Sequence, residues 1–114
     1  MEEDKLNIDE TALSVDLSEA TEAVKEARFK DALNLLSIVL KDHPDNIDVL
    51  YLAAVSARYL KKFDESKKYI EHLLFNAPDM GRAYQELGHL NRDMGDEEKA
   101  VVHYRQACEL NPAL

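Results

Sequence analysis

Turn-forming residues are scarce in this sequence, and that scarcity narrows the fold class. Only three glycines and three prolines occur in 114 residues. Alanine, leucine, glutamate and lysine dominate instead, and these residues favour helix over sheet. The composition therefore predicts an all-α protein with few turns, and the length allows one small domain rather than two independent cores.

Cysteines and long apolar stretches are also lacking. The single cysteine, Cys108, has no second thiol for an internal disulfide or a CxxC motif, so we expect it to pack as a small apolar side chain. The longest apolar run, from Val49 to Val55, is far shorter than the roughly 18 to 20 residues that span a bilayer. Acidic residues occupy positions 2 to 4, directly after the first methionine, which is unlike a secretory signal. These features predict a soluble, cytoplasmic protein.

Basic residues are outnumbered by acidic ones. The chain has 14 basic and 23 acidic residues, which gives a formal net charge of −9. Nucleic acid is excluded as a predicted partner because phosphate binding relies on clustered Lys and Arg, and a membrane is excluded because anionic lipid repels an acidic surface. Much of the acidity lies before residue 27, and we expect residues 1–12 to form an acidic segment that is partly disordered or begins the first helix.

Catalytic motifs are absent from the sequence as well. The four histidines lie in different predicted segments without HExxH or HxH spacing, and no serine lies in a GxSxG setting. There is no glycine-rich phosphate loop. We therefore predict that the protein is not an enzyme and has no cofactor or metal site.

The most informative feature that is present is a repeat. Pro44, Pro78 and Pro112 are spaced by 34 residues, and each follows a stretch that reads as two amphipathic helices. Proline lacks an N–H and pushes the preceding residue out of the α conformation, so each one marks a helix end in the same register. A fixed period of this length predicts stacked helix pairs, with units at about 13–46, 47–80 and 81–114.

Turn and cap residues are predicted between the helices. The turns inside the three pairs are expected at 28–30, 61–62 and 94–96, the last one built on the conformational freedom of Gly95. Between pairs, Asp45 and Asn46 offer side-chain acceptors for the start of the third helix. Asp79 is predicted to cap the fifth helix in the same way.

The third unit carries a recognisable set of small and aromatic residues. The set is Tyr84, Leu87, Gly88, Gly95, Ala100, Tyr104, Ala107 and Pro112. This pattern resembles the tetratricopeptide repeat. The second unit keeps the pattern except at Ser66, where alanine is preferred, and the first departs at Asp16 and Glu19, where apolar residues are usual. The resemblance implies an α-α superhelix, or solenoid, of three helix-turn-helix units.

The resemblance also implies a binding surface. In this family the first helices of the units line a concave groove that holds a peptide, and the inward positions carried onto this sequence give a predicted peptide-binding groove. Its residues are Tyr51, Val55, Arg58, Tyr59, Arg82, Gln85, His89 and Arg92. Arginine forks suit carboxylates and tyrosine rings are enriched at binding hot spots, so the predicted partner is an acidic or carboxylate-bearing peptide. The alternative is that these arginines only balance acidic neighbours.

One specific function of the family is not expected here. Its co-chaperones grip the C-terminal carboxylate of heat-shock chaperones with a lysine and an asparagine on the leading helix of the first unit. Leu17 and Thr21 occupy those positions in this chain. We therefore do not expect binding of chaperone tails by that mode.

Two function hypotheses remain open from the sequence. The chain is either a non-catalytic scaffold or adapter, or the N-terminal repeat module of a larger enzyme that recruits substrate or self-associates. The third unit also resembles the repeats that precede sulfotransferase domains in some bacterial proteins. Because no polar capping helix follows the third unit, we expect Val101, Tyr104 and Cys108 to form an exposed apolar end that supports a weak homodimer.

Overall fold

The computed structural model describes residues 17–114. The predicted acidic segment 1–12, the start of the first apolar stripe at Leu13 and the departure at Asp16 lie outside the described residues. Across 17–114 the chain is helical and has no strand. Helix α1 includes residues 17–25. It is followed by α2 (Phe29–Asp42), α3 (Ile47–Tyr59), α4 (Phe63–Asn76), α5 (Gly81–Asp93) and α6 (Glu97–Leu110). The predicted all-α class is confirmed.

The helices stack in chain order. Helix α3 packs against α2 and α4, and α5 packs against α4 and α6. Helices α3 and α5 also contact each other directly. The leading helix joins them, because Ala20 and Ala23 of α1 share a buried cluster with Val49 and Ala53 of α3. The first helices of the three pairs therefore lie side by side and form one surface, which we call the α1/α3/α5 face.

Small residues allow the paired helices to approach closely. Ala32 is fully buried and Ala100 nearly so, at the positions that the sequence pattern reserves for small side chains. Ser66 occupies the equivalent position in the second pair, where its buried hydroxyl donates a hydrogen bond to the carbonyl oxygen of Ala54 at 2.8 Å. Burying a hydroxyl without a partner would be unfavourable, and this bond removes that penalty. The serine therefore fits a position that usually holds alanine.

The turns inside the three pairs share one geometry. Ala27, Lys61 and Gly95 have positive φ values of 60°, 61° and 86°. After each of them the next N–H bonds back to a carbonyl five residues earlier at 2.8 Å, as when Lys62 donates to Ala57. This is the Schellman arrangement, which ends a helix through one left-handed residue. The first turn thus lies at 26–28 rather than at the predicted 28–30, and Phe29 is already the first residue of α2.

The left-handed residues give a test of local strain. We expect Lys61→Gly to raise the free energy of unfolding by about 1 kcal/mol, because a β-carbon in this conformation is unfavourable by about 1 to 2 kcal/mol and the extra flexibility of unfolded glycine offsets part of the gain. Gly95→Ala should lower it by about 1 kcal/mol for the converse reason. Urea denaturation measures both. Lys62→Gly, at a residue with negative φ, is the control and should not stabilise.

The helix caps are only partly as predicted. Asn46 caps α3, its side chain accepting a hydrogen bond from the Val49 N–H at 3.1 Å. The prediction for Asp79 is wrong, because Met80 is the N-cap residue of α5 and its side chain makes no cap bond. Asp79 lies one residue too early, in the turn that follows Pro78. The start of α5 therefore has no capping side chain.

Candidate functional site

A depression on the α1/α3/α5 face brings three helices together. It has a volume of about 240 Å³. Its lining residues are Leu17, Thr21, Asp48, Tyr51, Leu52 and Arg82. We call it the groove depression. Of the predicted groove residues, Tyr51 and Arg82 line it.

Arg82 is exposed and lies beside an aromatic ring. Its guanidinium carbon is 6.0 Å from the ring centroid of Tyr51, at the outer limit of a cation–π contact. The ion pairs between residues of the 17–114 range do not include Arg82. Tyr51 is half-buried, and burial together with the nearby Glu86 carboxylate raises the pKa of its phenol. The raised pKa keeps the Tyr51 phenol neutral, and the exposed Arg82 lines the same depression.

The helix that carries Arg82 makes this corner more positive. Arg82 lies in the first turn of α5, where the partial positive charge of the helix dipole disfavours a cation. No acidic residue lies in that turn to offset it. By contrast, the first turn of α3 contains Asp48 and that of α6 contains two glutamates. Arg82 therefore does not stabilise its own helix through the helix dipole. An anion near Arg82 would interact favourably with both the guanidinium and the dipole.

Arg58 is placed very differently. Its side chain is 6% exposed and donates two hydrogen bonds to Glu86, one of them 3.2 Å from Nη2 to Oε1. A further bond from Nη1 reaches Oδ2 of Asp93 at 2.9 Å. Although burial acts to lower the pKa of Arg58, these carboxylates raise it above its usual value. The Arg58 guanidinium is thus paired with carboxylates of its own chain. For this residue the structure agrees with the alternative that the predicted groove arginines only balance acidic neighbours.

Arg92 shares one of those carboxylates. Its Nη2 lies 3.1 Å from Oδ1 of Asp93, in an exposed pair. Burial acts to raise the pKa of Asp93, but the hydrogen bonds from Arg58 and Arg92 outweigh it and lower that pKa. Of the three predicted groove arginines, only Arg82 is without a carboxylate partner in the described part of the chain.

Glu86 is the residue that the sequence analysis missed. It is 2% exposed, and burial raises the pKa of its carboxyl although Arg58 opposes the shift. A signal existed in the sequence, because Glu86 falls in the apolar stripe of α5 with Ala83, Leu87 and Leu90, three or four residues apart. A charged residue in such a stripe indicates a buried partner of opposite charge.

Tyr59 belongs to a stack at the other end of the same face. Its ring lies parallel to that of Phe29, with centroids 4.3 Å apart, and the guanidinium carbon of Arg58 is 4.5 Å from its centroid. The ring is still 55% exposed. Through these contacts, residues of all three pairs are joined in the order Phe29, Tyr59, Arg58 and Glu86.

The other predicted groove residues lie between these two ends. Val55, Gln85 and His89 are all half-buried. His89 Nδ1 lies 2.7 Å from the hydroxyl of Tyr104 on α6. Burial lowers the pKa of His89, and the positive charges of Arg58 and Arg92 lower it further.

The lowered pKa of His89 predicts a pH dependence of stability. An unfolded histidine titrates near pH 6.5, so with a lower folded pKa the unfolded state binds more protons in the window below that pH. The free energy of unfolding should therefore fall as the pH drops from about 7.5 through 6.5 toward the folded pKa. Chemical denaturation at a series of pH values measures this. His89→Gln keeps a polar partner for Tyr104 and should flatten the profile in that window, and an unchanged profile would contradict the assignment.

The residues predicted for self-association are separated by the structure. Val101 is 53% exposed and Cys108 is exposed. Tyr104, however, is half-buried and is held by His89 within its own pair. Tyr104 thus packs inside the third pair, and the homodimer stays a prediction that now concerns Val101 and Cys108. The expectation of a packed Cys108 thiol is wrong, because the last turn of α6 leaves it facing outward.

The positions that a chaperone clamp would use carry no charge. The Thr21 hydroxyl donates a hydrogen bond to the carbonyl of Leu17 at 2.7 Å, so it is engaged by its own helix. Leu17 contributes only apolar surface to the groove depression.

No helix in residues 17–114 is long and apolar enough to cross a membrane. Across the same residues, no group of His, Cys, Asp and Glu is arranged to hold a metal ion.

Comparison with known proteins agrees with this architecture. The family model described as tetratricopeptide repeat matches residues 81–114, which contain α5 and α6. This is a helical repeat protein with the tetratricopeptide fold. This match, together with the solved structures described next, confirms the predicted resemblance and the predicted solenoid. A search of curated proteins finds no match.

Several solved structures superimpose on most of the chain. MamA AMB-1 has a TM-score of 0.79 at 24% identity over 90% of this chain, which spans 60% of the MamA chain. The first TPR domain of human RPAP3 gives 0.82 at 19% identity, covering 90% of this chain and 80% of that one. The first TPR of Spaghetti (RPAP3), bound to the HSP90 peptide SRMEEVD, gives 0.80 at 19% identity, covering 90% and 81%. These similarities establish the fold, and the sulfotransferase resemblance stays a prediction.

Proposed function

We propose that this tetratricopeptide-fold protein is a non-catalytic adapter whose α1/α3/α5 face binds a carboxylate-bearing segment of another protein. The observation that carries the proposal is Arg82, an exposed cation in the first turn of α5 with no carboxylate partner in the described range. It lies in a depression with Tyr51, whose ring and neutral hydroxyl supply apolar contact and a hydrogen-bond donor. The related fold of Spaghetti is seen with a peptide that contains two glutamates and an aspartate.

The bound carboxylate would meet Arg82 rather than the other predicted arginines. Arg58 already donates to Glu86 and Asp93, and Arg92 donates to Asp93. Displacing Arg58 would leave the buried Glu86 carboxylate unpaired, and displacing Arg92 would remove one of the two hydrogen-bonding partners of Asp93, so both changes oppose binding. Val55, Gln85 and His89 then line the continuation of the surface beyond the depression.

A direct binding measurement tests this function. A fluorescently labelled synthetic peptide, in which leucines lie between two glutamates, is titrated with the full chain. A second labelled peptide has glutamine in place of each glutamate. We expect the glutamate peptide to bind more tightly and Arg82→Gln to weaken its binding by about tenfold, since hydrogen bonds to charged groups contribute about 1.5 to 3 kcal/mol. The control is Arg105→Gln, at an exposed arginine on α6 away from the depression.

The outcomes separate specific binding from general charge. Equal affinity for the glutamate and glutamine peptides would contradict the proposal. An equal loss in the Arg82 and Arg105 variants would also contradict it, because binding would then follow net charge alone. Circular dichroism confirms that each variant remains helical.

A further inference from the structure

We infer that the groove depression recognises a segment with two side chains of opposite charge, a carboxylate held by Arg82 and an ammonium or guanidinium held by Asp48. This inference rests on the proposed function and names the chemistry of the segment that the face takes. It changes the predicted partner from a simply acidic peptide to one with a defined charge pair.

The two charges occupy equivalent places in neighbouring pairs. Asp48 is the second residue of α3 and Arg82 the second residue of α5, and both line the same depression. Apolar surface from Tyr51, Leu52 and Leu17 lines it as well. Neither charge forms an ion pair with any residue of the described 17–114 range. Two opposite charges in one apolar depression thus retain their capacity to bind.

Helix packing sets the spacing of the matching peptide charges. Packed neighbouring helices lie about 8 to 10 Å apart, so equivalent residues on α3 and α5 are separated by about that distance. An extended peptide advances about 3.3 Å per residue and its side chains alternate between two faces, so two long side chains on residues two positions apart would reach the two charges from the same face. We therefore expect an acidic and a basic residue two positions apart, both on the side of the segment that faces the depression.

Electrostatic complementarity favours this pairing over a uniformly charged segment. A second acidic residue near Asp48 would be repelled, and a basic residue near Arg82 would be repelled in the same way. Asp48 also interacts favourably with the dipole at the start of α3, so a change in helix stability must be separated from a change in binding. Asp64 is the matched control position for Asp48. It is an exposed aspartate in the first turn of α4 and does not line the depression.

The experiment compares three labelled synthetic peptides against the full chain. Each has two charged residues separated by one leucine. The charged residues are glutamate then lysine, lysine then glutamate, and glutamate twice. We expect one mixed order to bind about two- to fivefold more tightly than the double-glutamate peptide, as for exposed charge pairs. Asp48→Asn should remove that preference, and Asp64→Asn should preserve it.

A charge exchange gives the strongest outcome. The double variant Asp48→Arg, Arg82→Asp should prefer the reversed order of glutamate and lysine. If neither mixed peptide binds more tightly than the double-glutamate peptide, while binding of that peptide still depends on Arg82, this inference fails and the proposed function stands. If none of the peptides depends on Arg82, both fail.

Discussion

Replacing Arg58 with alanine should lower the free energy of unfolding by about 3 to 5 kcal/mol, the usual effect of removing one partner of a buried ion pair. The reason is the carboxylate left behind, since Glu86 is 2% exposed and has Arg58 as its hydrogen-bonding partner. Small domains are stable by about 5 to 15 kcal/mol in total, so the change removes a large part of that margin. Urea denaturation followed by circular dichroism measures the loss.

A compensating variant distinguishes the buried charge from lost packing. Arg58→Met with Glu86→Leu replaces both charges by apolar side chains of similar length, and such replacements are often neutral or stabilising. The double variant should therefore recover most of the stability lost in Arg58→Ala. Arg105→Ala, at an exposed arginine, should change stability by less than about 0.5 kcal/mol. Equal losses in the single and double variants would show that the ion pair is not the cause.

Gly88→Ala should destabilise the third pair although alanine is the better helix former. A β-carbon at Gly88 would lie 2.6 Å from two ring carbons of Tyr104, so the ring would have to move. Overpacking of this kind is unfavourable by about 1 to 3 kcal/mol, and the gain in helix propensity returns about 1 kcal/mol. We expect a net loss of up to about 2 kcal/mol, measured as a lower midpoint of urea denaturation.

The sign of the Gly88 effect should depend on Tyr104. In a Tyr104→Leu background the ring is gone, and Gly88→Ala should stabilise by up to about 1 kcal/mol through helix propensity alone. A loss of the same size in both backgrounds would contradict the close approach of α5 and the Tyr104 ring. The comparison is a double-mutant cycle of four proteins, which are the unmodified chain, the two single variants and the double variant.

Much of the fold is predictable from local features of the sequence. The prolines at 44, 78 and 112 and the apolar stripes locate the helix pairs because both act within a single helix. The turn at 61–62 was predicted, but the left-handed conformations of Ala27 and Lys61 were not, since neither residue type indicates such a conformation as Gly95 does. Their shared place in the 34-residue period was the available signal.

The candidate site is less predictable because it depends on contacts between distant residues. Arg58 and Glu86 are 28 residues apart in sequence, and periodicity alone does not say which arginine will be paired inside. Arg58, Arg82 and Arg92 therefore looked equivalent in the sequence. The structure distinguishes them by burial and by neighbouring carboxylates, and leaves Arg82 as the cation on which the proposed function depends.

The ion pair between Arg58 and Glu86 has a consequence for how the solenoid unfolds. In a repeat array, cooperativity depends on the coupling between neighbouring units. The second and third pairs are coupled by apolar contacts and by this buried charge pair between α3 and α5, whereas the first pair is joined to the second by apolar clusters and the Phe29–Tyr59 stack. Opening between the second and third pairs therefore exposes a buried charge pair together with apolar surface, whereas opening between the first and second pairs exposes apolar and aromatic surface.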